Sequence, residues 1–134
     1  MIIDTSALVA MLKREEGFEA IRDAIGVEGG FLPAPAEVEF TMVAAGAALT
    51  EKGRLLLAAF RESGLLTIEF SSAHSAIAAT AYEYYGKGNG KGGPLNLLDL
   101  MVYAVAKERG EPLLCTGKDF AATDLMLHSA SRAW

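Results

Sequence analysis

Apolar positions along the chain change their period several times, and each change marks an element. The opening "MIID" is a short apolar run closed by an acid and predicts a buried strand. "TSALVAMLKREEG" then carries Leu8, Met11 and Leu12 at helical spacing, with Gly17 as a stop, and "FEAIRDAIGVEGG" sets Phe18, Ile21 and Ile25 on a second helical face. "FLPAP" predicts a short strand left at Pro33 and Pro35. "AEVEFTMVAAGAALTEKG" is apolar around most of the helical wheel, which predicts a deeply buried helix. "RLLLAAFRESG" continues as helix, and "LLTIEF" is a strand with β-branched residues that ends near Ser71 and Ser72. "AHSAIAATAYEYYG" is helical up to Gly86. "GKGNGKGGP", with five glycines in nine residues, predicts a mobile loop. "LNLLDLMVYAVAKERG" is a helix stopped by Gly110, and "EPLLCT" is a strand before "GKDFAATDLMLH".

Strands separated by helices require parallel crossovers, so the fold class is α/β, with helices on both faces of a small parallel sheet. The 134 residues suit a single domain over 1–134, because two halves would each bury a poor core. No internal repeat or linker interrupts the pattern.

Composition changes this picture in four ways. A hydrophobic share of 51% and a mean hydropathy of +0.26 are high for a small chain, so part of the apolar surface is expected to be covered by a partner or a second copy. No apolar run reaches the roughly 18 to 20 residues of a membrane span, and no basic segment precedes the first apolar stretch, which together point to a cytoplasmic protein. The lone Cys115, within "PLLCT", allows no internal disulfide and is expected in the core. A net charge of −5 argues against whole-molecule attraction to nucleic acid, so any phosphate binding must rest on local cations or metal ions.

The acids carry the chemistry. Ligands of open parallel sheets bind beyond the carboxyl ends of strands, and both Asp4 and Asp119 follow a predicted strand. Asp99 falls in the first turn of its helix if Asn96 is the N-cap, where the helix dipole favours a carboxylate. Capping explains each acid taken alone. Together, like charges a few ångströms apart repel by about 4 kcal/mol per pair at an effective dielectric near 20, and a hard divalent cation offsets that repulsion.

"MIIDTSALVAML", "YEYYGKG" and "LNLLDLMVYAVAKERGEPLLCTGKDFAATDL", in this order over nearly the whole chain, resemble the PIN-domain toxin ribonucleases of the VapC type. The resemblance implies a PIN-like three-layer α/β/α sandwich whose clustered acids hold Mg²⁺ or Mn²⁺ and cleave RNA. It also implies a homodimer neutralised by a small VapB-type antitoxin. By position, Asp4 matches the first acid, Asp99 the acid of the "LNxxDxxxYAxA" helix, and Asp119 the acid of the "GxDF" segment. For the second acid both Glu37 and Glu39 are available. They lie about 200° apart on a helix and cannot share one site, and the "LExxxV" pattern favours Glu39. Many relatives carry an acid two residues before the aspartate of "DF"; here Gly117 stands there, leaving Asp119 to act alone or with Asp124. Ser6 and Thr116 offer hydroxyls to the acids or to a metal-bound water, although Ser6 serves equally as a helix cap.

Such chemistry requires no histidine, so His74 and His128 are read as structural or surface residues. Lys87 and Lys91 in the glycine loop are the local cations available to RNA phosphates, and Tyr82, Tyr84 and Tyr85 precede them. Two other readings compete. A phosphatase of the haloacid dehalogenase type needs a second aspartate at the position of Ser6, which disfavours it; a PIN-fold protein that binds RNA or a partner without cutting remains compatible with Gly117.

Overall fold

The computed structural model describes residues 1–132, and its centre is a two-residue strand, β1 (Ile2–Ile3). With β2 (Gly30–Pro33), β3 (Leu65–Ile68) and β4 (Leu113–Leu114) it forms one four-stranded sheet in the order β3-β2-β1-β4. All pairings are parallel, with Ile2 opposite Phe31 on one side and Leu113 on the other. Ile2, Ile3, Leu32, Leu65, Leu113 and Leu114 are all buried, as expected of parallel strands covered on both faces.

Six helices make the crossovers: α1 (Thr5–Leu12), α2 (Phe18–Glu28), α3 (Ala34–Gly46), α4 (Thr50–Glu62), α5 (Ser72–Tyr85) and α6 (Leu97–Arg109). The first two connections step outward from β1 to β2 and β3, whereas the α5–α6 connection returns across the sheet to β4. Because right-handed crossovers are the rule, this reversal puts α5 and α6 on the face opposite α1 and α2. The result is the α/β/α sandwich expected from the alternation of strands and helices.

Local signals set the helix ends. Asn96 and Asp99 form a reciprocal capping box at the start of α6, and Gly110 ends that helix at φ 63° beyond Lys107 and Arg109. Ser71 and His74 cap α5 in the same way, so His74 is structural as expected. His128 pairs with Glu28 at 3.1 Å, and Cys115 is fully buried.

Three expectations are corrected. Gly17 does not end the first helix, which stops at Leu12; it is the left-handed N-cap of α2, and the Arg132 guanidinium lies where a Cβ at position 17 would stand. The alanine-rich helix divides in two, "TEKG" opening α4, and α3 is not deeply buried. Only Ala36, Phe40 and Ala44 of α3 are buried, while Val38 and Met42 are 60% and 68% exposed. Small residues allow this shallow seat: a Cβ on Gly53 of α4 would come within 3.0 Å of the Ala44 Cβ, so the two helices meet through residues with almost no side chain. Finally, the glycine loop is tied down. Lys87 N–H donates to Leu95 O (2.6 Å), Leu95 N–H donates to Tyr85 O (2.9 Å), and Asn89 Oδ1 accepts from the amides of Lys91 (2.8 Å) and Gly93 (3.3 Å).

Candidate active site

The strand order reverses direction beside β1, between β1 and β4, and a crevice for ligands opens beyond the carboxyl ends of strands at such a switch point. Asp4 is the residue leaving β1. It is 5% exposed, its amide donates to Leu114 O of β4 (3.0 Å), and its side chain caps α1. Asp4 Oδ2 accepts both the amide (3.0 Å) and the hydroxyl (2.6 Å) of Ser6. The Ser6 hydroxyl oxygen in turn accepts the Thr116 amide at 3.0 Å, stitching the exit of β4 to that of β1. Ser6 therefore contacts an acid, as one of its two sequence readings had it, while the cap of α1 is Asp4 itself and Ser6 supplies the amide that the cap accepts. Burial pushes the Asp4 carboxyl above its ordinary value, the Ser6 hydrogen bonds partly counter this, and the charge of Glu39 adds to the rise.

Asp99 enters from the other layer. Its capping role fixes it: Asp99 N–H donates to Asn96 Oδ1 (2.9 Å) and Asp99 Oδ2 accepts the Asn96 amide (3.0 Å). Its pKa is raised to about 6, first by burial and then by the charges of Asp4, Asp119 and Glu39, against the lowering effect of the Asn96 amide. These mutual effects place Asp4, Glu39, Asp99 and Asp119 in one electrostatic field.

The two glutamates of α3 separate as helix geometry requires. Glu37 is held by Arg61 of α4 and accepts the Thr67 hydroxyl of β3 at 2.8 Å. Glu39 has no such ion pair among the described residues, and its charge raises the pKa values of Asp4 and Asp99. Asp119, exposed, precedes the 3-10 turn Phe120–Ala122, two residues beyond Gly117. Gly117 stands at φ 88°, a left-handed backbone that strains any residue with a side chain, which gives a conformational reason for glycine at this position.

Asp124, which the sequence offered as a helper of Asp119, accepts the Tyr103 hydroxyl (2.7 Å) and pairs with Lys107 (2.5 Å), both on α6. The lysine and the tyrosine hydroxyl hold its carboxyl below the usual range. Nothing at the level of composition showed this pairing, although Tyr103 and Lys107, four apart on one helix, were a legible face. Lys87 and Lys91 remain on the exposed loop that leads into α6, the Lys91 ammonium resting 3.4 Å from Glu83 O, and neither pairs with a site acid. Among the described residues, no cation pairs with Asp4, Glu39, Asp99 or Asp119.

No group of three or more His, Cys, Asp or Glu side chains among the described residues converges into a metal cage. The donor set nevertheless suits a hard cation. It is all oxygen, it carries uncompensated negative charge, and Mg²⁺ commonly binds through one or two carboxylates with water filling the remaining positions.

The PIN-domain profile matches residues 1–125. Over 126 residues the chain is 35% identical to the VapC ribonuclease Mb2780c of Mycobacterium bovis, covering 93% of this chain and 96% of the relative. It is 37% identical to ribonuclease VapC30 of Mycobacterium tuberculosis, covering 93% and 95%. Among solved structures, the sarcin-ricin loop cleaving toxin VapC20 of M. tuberculosis superposes with a TM-score of 0.70 at 14% identity, over 93% of this chain and 95% of that one. VapBC2 of Rickettsia felis, bound to a DNA fragment from its promoter, superposes with a TM-score of 0.70 at 16% identity, over 99% and 97%. The chain belongs to the PIN-domain family. Within it, its place is among the VapC proteins.

Proposed function

We propose that this protein is a Mg²⁺- or Mn²⁺-dependent endoribonuclease, the toxin of a type II toxin–antitoxin pair, with Asp4, Glu39, Asp99 and Asp119 as its catalytic and metal-binding acids. The observation that carries the reading is the Asp99 carboxyl, lifted to about 6 by burial and by three further acids, with no ion-pair partner for any of the four among the described residues. Charge left uncompensated at the carboxyl edge of a parallel sheet is costly to the fold and useful to a metal-dependent reaction. A bound divalent cation supplies Lewis acidity there, lowering the pKa of water and offsetting charge on the leaving oxygen of a phosphodiester.

The chain's own groups supply the rest. Asp4, fixed through Oδ2 by Ser6, and Asp99, fixed by its capping box, present carboxylates whose orientation is set before any ligand arrives. Glu39 and Asp119 add negative charge from α3 and from the segment after β4. Thr116 contributes its amide to Ser6, and its hydroxyl lies at the same strand exit. Lys87 and Lys91 contact RNA phosphates from the loop before α6. Cleavage leaves a 3′-hydroxyl and a 5′-phosphate.

The relatives and structural neighbours named VapC and VapBC support a VapB-type antitoxin as partner, and the exposed Val38, Met42, Tyr84 and Leu97 leave apolar surface for it and for a second copy in a homodimer. No helix among the described residues is long and apolar enough to cross a membrane, consistent with action in the cytoplasm. One observation favours a second reading, a PIN-fold module that binds RNA without cutting: the four acids do not converge into a cage. Incubating a mixed RNA pool with the protein and Mg²⁺ or Mn²⁺, with EDTA, and with Asp4→Asn separates the two. Metal-dependent cutting lost in the variant is expected; RNA bound but left whole under every condition selects the binding module.

A further inference from the structure

Of the four site acids, Asp119 has the weakest local support. Asp4 leaves a strand, Glu39 is carried by a helix and Asp99 is locked in a capping box, but Asp119 is exposed on a segment whose only regular element is a three-residue turn. Something must hold that segment against α6 for Asp119 to share a field with Asp99.

At its start the segment is tied to the sheet side, Gly117 N–H donating to Arg132 O at 2.7 Å. In the middle Phe120 is buried, and its carbonyl accepts the Thr123 hydroxyl at 2.7 Å. At its end comes Asp124, with one carboxylate oxygen on the Tyr103 hydroxyl and the other on the Lys107 ammonium. Asp99, Tyr103 and Lys107 follow one another at four-residue steps, so they line one stripe of α6. The helix that presents Asp99 thus also grips the far end of the Asp119 segment, one and two turns further along the same stripe. The Tyr103 ring is itself braced by Tyr85 of α5, with ring centroids 5.5 Å apart.

We propose that Asp124 is a positioning residue: through Tyr103 and Lys107 it clamps the 117–124 segment to α6 and sets the placement of Asp119 opposite Asp99. This rests on the metal-dependent reading for its functional effect, while the clamp itself is a statement about the fold. Outer partners that orient a metal-binding carboxylate typically matter by about 10- to 100-fold in metal affinity or activity.

The test compares Asp124→Ala, Asp124→Asn and the surface control Glu28→Ala, which removes the Glu28–His128 pair. Mn²⁺ uptake by RNA-free protein is followed by electron paramagnetic resonance, amide exchange over residues 117–123 by mass spectrometry, and RNA cleavage by steady-state kinetics. Asp124→Ala is expected to weaken Mn²⁺ binding about tenfold or more, lower kcat with KM for RNA unchanged, and speed exchange in 117–123. Asp124→Asn, which still accepts from Tyr103, falls between Ala and the parent, and Glu28→Ala behaves as the parent. Parent-like Mn²⁺ affinity and kcat in Asp124→Ala overturn the proposal, as does an equal loss in Glu28→Ala. If Asp124→Ala does not fold, Tyr103→Phe removes one arm of the clamp and is read by the same criteria. A parent that takes up no Mn²⁺ overturns the metal reading instead, and exchange then decides the clamp alone: acceleration confined to 117–123 supports it, and unchanged exchange overturns it.

Discussion

Two groups of carboxylates in this molecule have opposite surroundings. On the flanks, Glu37 meets Arg61, Glu51 meets Arg54 and Asp124 meets Lys107, and the pKa values of Glu51 and Asp124 are lowered by these partners. At the switch point of the sheet, Asp4 and Asp99 have hydrogen-bond donors and further acids for company and no ion pair among the described residues, and their pKa values are raised. The chain does not lack cations to pair with acids; it places them elsewhere. Glu37 and Glu39 make the contrast within a single turn of helix, one paired with Arg61 and the other adding its charge to the field of the aspartates.

The sharpest way to break the comparison is to remove a site acid. Asp4→Asn or Asp99→Asn should cut RNA cleavage by on the order of 10³-fold, the scale of losing a preorganised electrostatic contact, with circular dichroism unchanged. The α3 pair comes next. Glu39→Gln should cost about 100-fold in cleavage with little change in urea midpoint, whereas Glu37→Gln should leave cleavage intact and lower stability by up to about 1 kcal/mol, as expected for a partly exposed ion pair. Equal effects of the two substitutions would erase the distinction.

Acidity gives a subtler test. The folded-state pKa of Asp99, about 6, lies above the value near 3.9 of an unfolded aspartate, so the folded chain holds this proton more tightly. The cost of ionising it is absent below about pH 4, grows as pH rises, and is complete above about pH 6. Asp4 shifts in the same direction. Metal-free Asp99→Asn should therefore melt above the parent at pH 7 and no higher than it at pH 4. Added Mn²⁺ should raise the melting temperature of the parent more than that of the variant. The smallest effect concerns Cys115, whose thiol is pushed up to about 12, chiefly by burial and further by the charge of Asp4. Iodoacetamide at pH 8 should leave it unmodified in the folded protein and alkylate it in urea.

What the sequence made legible follows from the range of the forces involved. The Asn96–Asp99 cap and the Gly110 stop are short-range features, each where the pattern puts it, and the parallel sheet, though its pairings are long-range, follows from the alternation of strands with helices. The sorting of Glu37 from Glu39 follows from helix geometry once a direction is chosen, but the choice needs Arg61, 24 residues away. The partners of Asp124 were not legible because they lie 21 and 17 residues back along the chain, far beyond its sequence neighbour Asp119. The burial of α3 was overestimated because alanine suits a shallow contact as well as a deep one, so its periodicity does not fix depth. The glycine loop looked mobile because its ties, two backbone bonds and the side chain of Asn89, are revealed by no count of glycines.

That side chain also bears on how the protein ages. Asn89 precedes Gly90, and in a pliant chain an asparagine before glycine is prone to lose its amide nitrogen through attack by the next backbone nitrogen. Here the side-chain amide is occupied on both ends, Nδ2 donating to Tyr82 O (3.3 Å) and Glu83 O (3.2 Å) while Oδ1 accepts two loop amides. The native loop thus shields its own weakest covalent point. Once deamidated, residue 89 would present oxygen where α5 now receives N–H, adding a negative charge against two carbonyls and opening the strap that leads into α6.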